Sequence, residues 1–340
     1  MKITWSIPVR GDRPSSGRAD LVRAHRLTRA LQADGHAVVV VDDAGVRARL
    51  EVAFYRIVVR PLLPRRLAAV LRDMVRARRA KRHAERVAEA ARRQGAELIV
   101  ETQVHPYDSG VRAARELGVP LVVDDCSPAR EAAELEPGLP RLATSALARQ
   151  TEGAAMVVAS SPRLRAVLAR DGIPAAKLRV VRNSVDTKAY ARGSRATTRT
   201  RLKLEDRFVV GYVGSFKPWH QVDLLVEAIA RLAPRLPVHL LLVGDGPTRR
   251  RVRRFARKCG LRKRLTVTGA VEPAAVPALL AACDAGVLPA TNDYGHPMAL
   301  LEYAAAGLPI IAPDQPNVRD VVDPDATGLL VPPGNVGALT

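Results

Sequence analysis

Short apolar runs rich in β-branched residues alternate with longer helical patterns along almost the whole chain. In the first half, the predicted strands are 3–7, 37–42, 98–101, 121–124, 156–159 and 178–181. In the second half, they are 208–213, 238–243, 265–268, 285–288 and 310–312. This alternation predicts parallel sheets with helices on both faces, and such sheets bind ligands outside the carboxyl ends of their strands. The predicted fold class is therefore α/β, with doubly wound parallel sheets.

The length of the chain and a break in its alternation indicate two domains. A chain of 340 residues exceeds the size of one ordinary hydrophobic core. The segment from Thr187 to about Glu205 is polar and lacks periodicity, which is typical of a linker. We predict an N-terminal domain over residues 1–190, a linker over 191–206 and a C-terminal domain over 207–340.

The formal net charge of +20 favours anionic partners such as nucleic acid, acidic phospholipid or phosphorylated substrates. Aromatic residues make up only 4% of the chain, which leaves few platforms for stacking bases, so no nucleic-acid partner is predicted. No apolar run is long enough to span a bilayer. Cys126, Cys259 and Cys283 lie far apart without metal-ligand spacing, which is typical of the reducing cytosol. We therefore predict a cytoplasmic protein.

Residues 65–93 form a long basic helical pattern that breaks the alternation. They include eleven Lys and Arg residues against Asp73, Glu85 and Glu89. Two interpretations remain open. One is a solvated helix face, and the other is an amphipathic helix that rests on anionic lipid or receives a lipid-linked acceptor. The second interpretation predicts peripheral contact with the inner face of a membrane through residues 65–93.

Residues 211–220 join the end of a buried strand to a glycine, a lysine and the start of a helix. Gly214 lacks a Cβ, so a ligand or another backbone can approach it closely. The N–H groups at the helix start and the charge of Lys217 both favour an anion. The pattern predicts an anion site, with an ordinary strand–helix turn as the alternative. A Gly-Asp-Gly turn at 244–246 follows the next strand, but such turns occur in many α/β proteins and indicate a ligand only weakly.

Residues 294–309 contain a short helix with a carboxylate on it. Pro297 suits a first helical turn, and Gly307 suits the C′ position. Glu302 lies between them, where its carboxylate is either solvated or accepts hydrogen bonds, as from a ribose diol. The helix start around residues 295–298 offers a second cluster of N–H groups for a diphosphate.

Taken in order, these segments resemble the family 4 glycosyltransferases of the GT-B fold. In the second half, the resemblance rests on residues 213–220, 243–247, 268–271, 297–307 and 328–334. In the first half, it rests on Gly17 and on residues 35–38, 120–131 and 181–186. It covers almost the whole chain and implies two Rossmann-like, doubly wound parallel-sheet domains facing a cleft.

The resemblance implies a retaining, metal-independent transferase that moves a sugar from a UDP- or GDP-linked donor to an acceptor. The acceptor would be a lipid-linked glycan, a polysaccharide precursor or a small metabolite, and no cofactor is implied beyond the donor. Ser215, Lys217 and the turn 295–298 would hold the diphosphate, whose developing charge fixed dipoles and cations can stabilise. Glu302 would bind the ribose. The residues implied to bind the donor are Gly17, Gly214, Ser215, Lys217, His220, Gly244, Asp245, Val271, Gly295, His296, Pro297, Met298 and Glu302.

Four positions depart from the family pattern. Tyr294 stands where the family usually has a glutamate near the sugar hydroxyls, and Ala299 stands where a related subgroup has a lysine. His220 replaces a basic residue and is expected to be only partly charged, while Gln221 replaces a glycine. These changes leave open a catalytically impaired GT-B protein that binds a nucleotide sugar without turnover. Nucleotide-sugar 2-epimerases share the architecture but lack the Trp-His turn, which makes them a weaker alternative.

Three residues near predicted strand ends are candidates for a catalytic base on the acceptor side. His105 follows one strand, where it can act as a base or as a hydrogen-bond donor. Asp124 and Asp125 lie where many family members place a histidine. A structural or solvated role remains the alternative for each. The histidines interpreted as structural are His25, His36, His83 and His239.

The sequence stops at Thr340, shortly after Gly334, where the family normally continues through further helices. One of those helices crosses back to the N-terminal domain. The expectation is a truncated or shortened chain with exposed apolar surface and lowered stability.

Overall fold

Two six-stranded parallel sheets organise the chain, one in each half. The computed structural model describes residues 1–8, 19–43, 54–104, 107–124, 128, 139–191 and 194–340. These residues form two compact units, of which the first includes the first strand and Asp20–Arg182, and the second includes Asn183–Thr340. The predicted α/β class with two doubly wound parallel sheets is confirmed.

The sheet of the first unit has the strand order β2-β1-β3-β4-β5-β6. Its strands are β1 Lys2–Ile7, β2 Ala37–Asp42, β3 Leu98–Thr102, β4 Leu121–Asp124, β5 Met156–Ala159 and β6 Leu178–Val180. The helices described in this unit are α1 Ala19–Ala33, α2 Arg60–Leu62 after a π-helical turn at Tyr55–Val59, α3 Arg65–Gln94, α4 Ser109–Leu117, α5 Pro140–Gly153 and α6 Pro162–Arg170. The chain order reverses between β1 and β3, so their carboxyl ends form the switch point of this sheet.

The sheet of the second unit has the strand order β12-β11-β10-β7-β8-β9. Its strands are β7 Phe208–Val213, β8 Val238–Val243, β9 Leu265–Gly269, β10 Ala285–Val287, β11 Ile310–Pro313 and β12 Gly328–Val331. The helices described in this unit are α7 Thr187–Ala191, α8 Arg195–Leu202, α9 Val222–Leu232, α10 Arg249–Lys258, α11 Val276–Ala281, α12 Met298–Ala305, α13 Pro316–Arg319 and α14 Val336–Leu339. Every residue of β8 is buried, as expected for a parallel strand covered on both faces, whereas β12 at the sheet edge was not among the predicted strands.

The segment predicted as a linker contains helix α8, which belongs to the second unit. The side chain of Ser194 caps this helix. Arg195 and Arg199 on α8 pair with Asp284, next to β10. Leu204, after the helix, is fully buried in the core of the second unit. The sequence signal for this helix is weak because its polar side chains bond to a carboxylate that is remote in the chain.

A buried polar network anchors helix α3 to the first sheet. Arg79 donates from Nε and Nη2 to Oδ2 of Asp43, at 2.9 and 2.6 Å. His83 lies with Nε2 3.1 Å from Oγ of Ser6 and with Nδ1 3.1 Å from Nη2 of Arg86. Because arginine only donates, Nδ1 accepts and Nε2–H donates to the serine. Burial, reinforced by the charges of Arg86 and Arg79, lowers the pKa of His83 to about 3, so this histidine is neutral and structural.

Glu101, near the carboxyl end of β3, has a buried carboxyl group that contacts the first turn of helix α4. Its Oε1 accepts the N–H of Gly110 at 2.7 Å, and its Oε2 accepts the side-chain amide of Gln150 at 2.9 Å. A Cβ on Gly110 would lie 2.7 Å from the Cβ of Glu101, so only glycine permits this approach. Burial raises the pKa of Glu101 to about 7, although both hydrogen bonds oppose the shift.

We expect Glu101→Gln to stabilise the protein above about pH 7 and to lose that advantage in acid. The folded pKa of about 7 lies above the ordinary value of 4.5. The carboxyl group therefore favours the fold most below pH 4.5, and this contribution is lost as the pH rises through 7. Glutamine carries no charge, so the variant avoids a loss of up to about 3 kcal/mol. Urea unfolding at about pH 5 and about pH 8 measures the difference.

Glu85→Gln on the exposed surface of α3 is the matched control for this charge removal. Its unfolding midpoint is expected to follow that of the wild type at both pH values. If the unfolding midpoint of Glu101→Gln also equals that of the wild type at both pH values, the pKa of Glu101 is not raised in the folded protein, and the prediction is wrong.

Candidate functional site

The predicted donor-binding residues of the second unit gather at the carboxyl edge of its sheet. Strands β7 and β10 are neighbours, but the chain continues from them in opposite directions across the sheet. Such a reversal opens a crevice at the carboxyl ends, where ligands of doubly wound sheets bind. Residues 214–217 follow β7, residues 244–246 follow β8 and residues 270–271 follow β9, while residues 295–298 lie between β10 and α12. Segments that are far apart in sequence therefore meet at one edge.

Close backbone packing explains the glycines in the turns after β7 and β8. A Cβ on Gly244 would lie 2.0 Å from the carbonyl oxygen of Gly214, and one on Gly246 would lie 2.6 Å from the backbone nitrogen of Phe216. The N–H of Phe216 also donates to the carbonyl of Asp245 at 3.0 Å. The Gly-Asp-Gly turn, a weak ligand signal in the sequence, thus has a structural origin: it lets the two turns pack against each other.

His220 is neutral in the folded protein and holds the turn after β7. Its Nδ1 bonds the carbonyl of Ser215, and the hydroxyl of Tyr212 donates to the same carbonyl at 2.8 Å. A carbonyl oxygen only accepts, so the proton lies on Nδ1. Burial lowers the pKa of His220 to about 4; the bond to Ser215 opposes this shift and the charge of Lys217 adds to it. The expectation of a partly charged His220 is corrected, since near neutral pH this residue supplies no positive charge.

Lys217 brings a positive charge to the same turn. Its Nζ lies 4.6 Å from the ring centroid of Trp219, in a cation–π contact. The rings of Trp219 and His220 lie edge to face, with centroids 6.1 Å apart. The Trp-His pair therefore has two separate structural tasks. The tryptophan supports the ammonium group, and the histidine fixes the backbone of Ser215.

Tyr303, which the sequence analysis did not single out, bridges the two strands of the switch point. Its hydroxyl accepts the N–H of Val213 in β7 at 2.9 Å and donates to the carbonyl of Val287 in β10 at 3.2 Å. A Cβ on Gly286 would lie 2.4 Å from the tyrosine ring, so this glycine makes room for it. The bridge fixes α12 and with it Glu302, the preceding residue, which is buried. In the sequence, an aromatic residue on a Leu- and Ala-rich helix looks like ordinary core.

The segment before α12 is largely buried. Tyr294 is only 7% exposed and His296 only 6% exposed. Pro297 is the N-cap residue of α12, and Ala299 in its first turn packs partly buried against the core. In the turn 295–298, the N–H of Gly295 bonds Oδ1 of Asn292 and Pro297 has no N–H, so an anion there would meet the N–H groups at the start of α12. Val271, after β9, also packs partly buried against the core.

On the first unit, Asp124 is bound in a buried ion pair. Arg23 of α1 donates from Nε to Oδ2 of Asp124 at 3.1 Å and from Nη2 to Oδ1 at 2.9 Å. Both oxygens of this carboxylate therefore accept hydrogen bonds from one buried arginine. The role of Asp124 as a base stays a prediction, for a carboxylate that the structure holds in an ion pair. The other predicted residues of this side, Gly17, His105 and Asp125, lie outside the described residues.

The residues that the structure describes contain no candidate metal centre, since no three of their His, Cys, Asp and Glu side chains are grouped to hold an ion. Cys259 and Cys283 are free thiols, and burial raises the pKa of Cys283 to about 12. His239 bonds the hydroxyl of Thr266 at 2.9 Å within the sheet. The features suited to an anion are therefore Lys217 and the N–H groups of the turn 295–298.

Both halves of the chain match known family models. Residues 22–189 match the model described as Glycosyltransferase Family 4. Residues 207–340 match the model described as Glycosyl transferases group 1. The chain belongs to the family 4 glycosyltransferases. The resemblance on which the sequence analysis relied is thereby confirmed.

Two curated relatives of this family 4 chain carry sugar-transfer names. The chain is 30% identical to alpha-D-kanosaminyltransferase of Streptomyces kanamyceticus, over 68% of its own length and 64% of that protein. It is 31% identical to GDP-mannose-dependent alpha-(1-6)-phosphatidylinositol monomannoside mannosyltransferase of Mycobacterium tuberculosis, over 56% of its own length and 52% of that protein. The chain thus spans about half to two thirds of the length of these two curated relatives.

Solved structures share the fold. HepE of Anabaena, in complex with UDP and glucose, has a TM-score of 0.70 at 19% identity, covering 100% of this chain and 88% of that one. Sucrose-phosphate synthase of Thermosynechococcus elongatus has a TM-score of 0.74 at 21% identity, with the same two coverages of 100% and 88%. UDP-GlcNAc 2-epimerase of Methanocaldococcus jannaschii has a TM-score of 0.58 at 11% identity, covering 100% of this chain and 90% of that one. These similarities establish the GT-B fold, which does not by itself separate transferases from epimerases.

We expect Gln221→Gly to stabilise this family 4 chain. Gln221 has a left-handed backbone, with φ 43° and ψ 46°, immediately before α9. That conformation costs an L-residue about 1–2 kcal/mol, whereas glycine adopts it freely. Against this, glycine increases the conformational entropy of the unfolded chain, which lowers the free energy of unfolding by about 0.4–1 kcal/mol. The net gain is about 0.5–1 kcal/mol, or roughly 2 °C in the Tm, which differential scanning calorimetry measures.

Arg253→Gly is a control that is expected to lower the Tm instead of raising it. Arg253 is exposed in the middle of α10, where a glycine is expected to cost about 1 kcal/mol of stability. A Tm for Gln221→Gly that falls with that of the control would contradict the assignment of backbone strain to position 221.

Proposed function

We propose that this chain is a retaining glycosyltransferase that moves a sugar from a UDP- or GDP-linked donor to an acceptor. The acceptor is a glycan, a lipid-linked glycan or a small molecule. The observation that carries the proposal is that Lys217 and the turn 295–298 follow the two neighbouring strands of the switch point, β7 and β10. A relative named as GDP-mannose-dependent and a structural neighbour in complex with UDP support a nucleotide-linked donor.

In the proposed complex, the donor diphosphate lies at this switch point. As the bond between the sugar and the diphosphate breaks, negative charge grows on the leaving group. The ammonium of Lys217, the hydroxyl of Ser215 and the N–H groups of the turn 295–298 stabilise that charge. Glu302 accepts hydrogen bonds from the ribose. The residues that we propose to border the nucleotide are Gly214, Gly244, Asp245 and Val271.

His220 acts in this proposal through geometry and not through charge. Its bond to the carbonyl of Ser215 fixes the serine beside Lys217. As the family resemblance implies, we propose that Gly17 contacts the donor, and that His105, Asp124 or Asp125 is the candidate base. We also propose that the reaction needs no bound metal, as the family resemblance implies. Turnover that persists in excess chelator supports this, and turnover that returns only with Mg²⁺ or Mn²⁺ contradicts it.

One observation favours a second candidate function, the binding of a nucleotide sugar without turnover. Position 220 holds a neutral histidine and position 299 an alanine, where the family or its subgroup has a cation. With less positive charge at the diphosphate, the ground-state complex can form while the leaving group is poorly stabilised.

A panel of radiolabelled UDP- and GDP-sugars separates the two functions. Transfer to an acceptor or slow hydrolysis of any donor supports the transferase. Binding without release of UDP or GDP supports the second candidate, and the absence of binding contradicts both. For an active donor, we expect Lys217→Ala to lower kcat by about 10²–10³-fold, the usual effect of removing one group that stabilises transition-state charge.

Lys258→Ala is the matched control, because Lys258 is an exposed lysine at the end of α10. It is expected to leave kcat unchanged. Equal kcat values for Lys217→Ala and the wild type would remove Lys217 from the proposed mechanism.

We further propose that the protein is cytoplasmic and contacts an anionic membrane surface through α3 and the residues just before it. The exposed apolar residues there are Phe54, Ile57, Val58, Leu62, Leu63, Leu67, Leu71 and Met74. Leu67, Leu71 and Met74 lie on one face of α3, and Arg66 and Arg78 are exposed on the same helix. Apolar side chains beside cations are typical of helices that lie in the lipid interface. No helix within the described segments has the length and apolarity to cross a bilayer.

Vesicle co-sedimentation tests this contact. We expect the wild type to bind phosphatidylcholine vesicles that contain phosphatidylglycerol, and to bind pure phosphatidylcholine weakly. Serine at positions 67, 71 and 74 together is expected to weaken binding by about tenfold or more, because each change removes apolar area from the interface. Leu329→Ser, at an exposed leucine of β12, is the matched control. Equal binding by both variants contradicts the proposed contact.

A further inference from the structure

Asn317 reaches from helix α13 to the segment that precedes α12. Its side chain is fully buried. The two hydrogens of its Nδ2 go to two carbonyl oxygens of one loop, that of Asn292 at 2.9 Å and that of Gly295 at 3.0 Å. One side chain thus ties together the beginning of the loop and the first residue of the turn 295–298.

Two more asparagines brace the same loop. Oδ1 of Asn292 accepts the N–H of Gly295 at 2.7 Å, and a Cβ on Gly295 would lie 2.7 Å from that oxygen. Nδ2 of Asn183, at the start of the second unit, donates to the carbonyl of His296 at 2.7 Å. The backbone of residues 292–296 is therefore held by side chains from three separate parts of the chain.

The chemistry at position 317 requires a donor of two hydrogen bonds. An aspartate presents only acceptors to the two carbonyls, and an alanine or leucine leaves both without a partner. Oδ1 of Asn317 is buried without a hydrogen-bond partner among the described residues. The amide thus keeps an unsatisfied acceptor, which is unfavourable, while both of its donors are used on the loop.

We infer that Asn317 is a positioning residue that sets the backbone of the turn 295–298 for the donor diphosphate. The inference rests on the proposed function, because it assigns to Asn317 the geometry of a turn that the proposal gives to the donor. The N–H groups of a turn bind an oxyanion well only when they are already aimed at it. Asn317 touches no substrate itself and acts through the carbonyls of Asn292 and Gly295.

Titration of the full chain with UDP, GDP, UMP and GMP tests the inference by calorimetry. With Asn317→Ala, we expect the Kd for the bound nucleoside diphosphate to rise about tenfold, because the turn is no longer fixed. The Kd for the corresponding monophosphate, which lacks the β-phosphate, is expected to change by less than about twofold. Arg319→Ala, on the same short helix but bonded to Asp314 at the surface, is the control and is expected to change neither value.

The outcomes are distinct. A selective loss of diphosphate affinity supports the inference. Unchanged affinities, or equal losses for diphosphate and monophosphate together with a lower Tm, overturn it and leave the proposed function standing. A wild type that binds neither UDP nor GDP overturns the proposed function and the inference together. If Asn317→Ala does not fold, Asn317→Ser, whose hydroxyl donates only one hydrogen bond, is judged by the same criteria.

Discussion

The functional edge of the second unit depends on one hydroxyl group, that of Tyr303. Strands β7 and β10 pair only at Val210 with Ala285 and at Gly211 with Gly286, and beyond those residues they part. Where the hydrogen bonds between the two strands end, the hydroxyl of Tyr303 bonds the N–H of Val213 in β7 and the carbonyl of Val287 in β10. Without it, a buried N–H and a buried carbonyl would lack partners, at about 1–3 kcal/mol for each group. The crevice between the strands and the docking of α12 are therefore two results of the same contact.

Local sequence was sufficient for the architecture. Parallel strands appear as short apolar runs between helical patterns, so eleven of the twelve strands were recognisable without tertiary information. At the start of α6, the hydroxyl of Ser161 accepts the N–H of Leu164 at 2.8 Å and Pro162 follows it, which is a helix start of the kind that local sequence encodes. The location of the candidate site also followed from the sequence, because glycines and helix starts after parallel strands must lie at one edge of the sheet.

The charge states and hydrogen-bond partners of the site residues could not be predicted from the sequence, because they depend on residues that are remote in the chain. His220 stands where the family has a basic residue, but burial lowers its pKa to about 4 and leaves it neutral. Asp124 stands at a strand end, as a base should, but its partner Arg23 lies 101 positions away. The role of Asn317 could not be predicted for the same reason, because its two acceptors lie 25 and 22 positions earlier in the sequence. Periodicity and turn chemistry carry no information about contacts of this range.

The pairing of α8 with β10 determines where the second unit can be separated from the rest of the chain. The match to the group 1 model begins at residue 207, inside a compact unit that includes Asn183–Thr340. A fragment cut at 207 would lack both arginines that pair with Asp284, as well as the buried side chains of Tyr190 and Leu204. It would keep the carboxylate of Asp284 without its two arginine partners, and it would expose the apolar surface that Tyr190 and Leu204 cover. The boundary for producing this half as an independent polypeptide therefore lies at or before Asn183, upstream of the border that sequence similarity suggests.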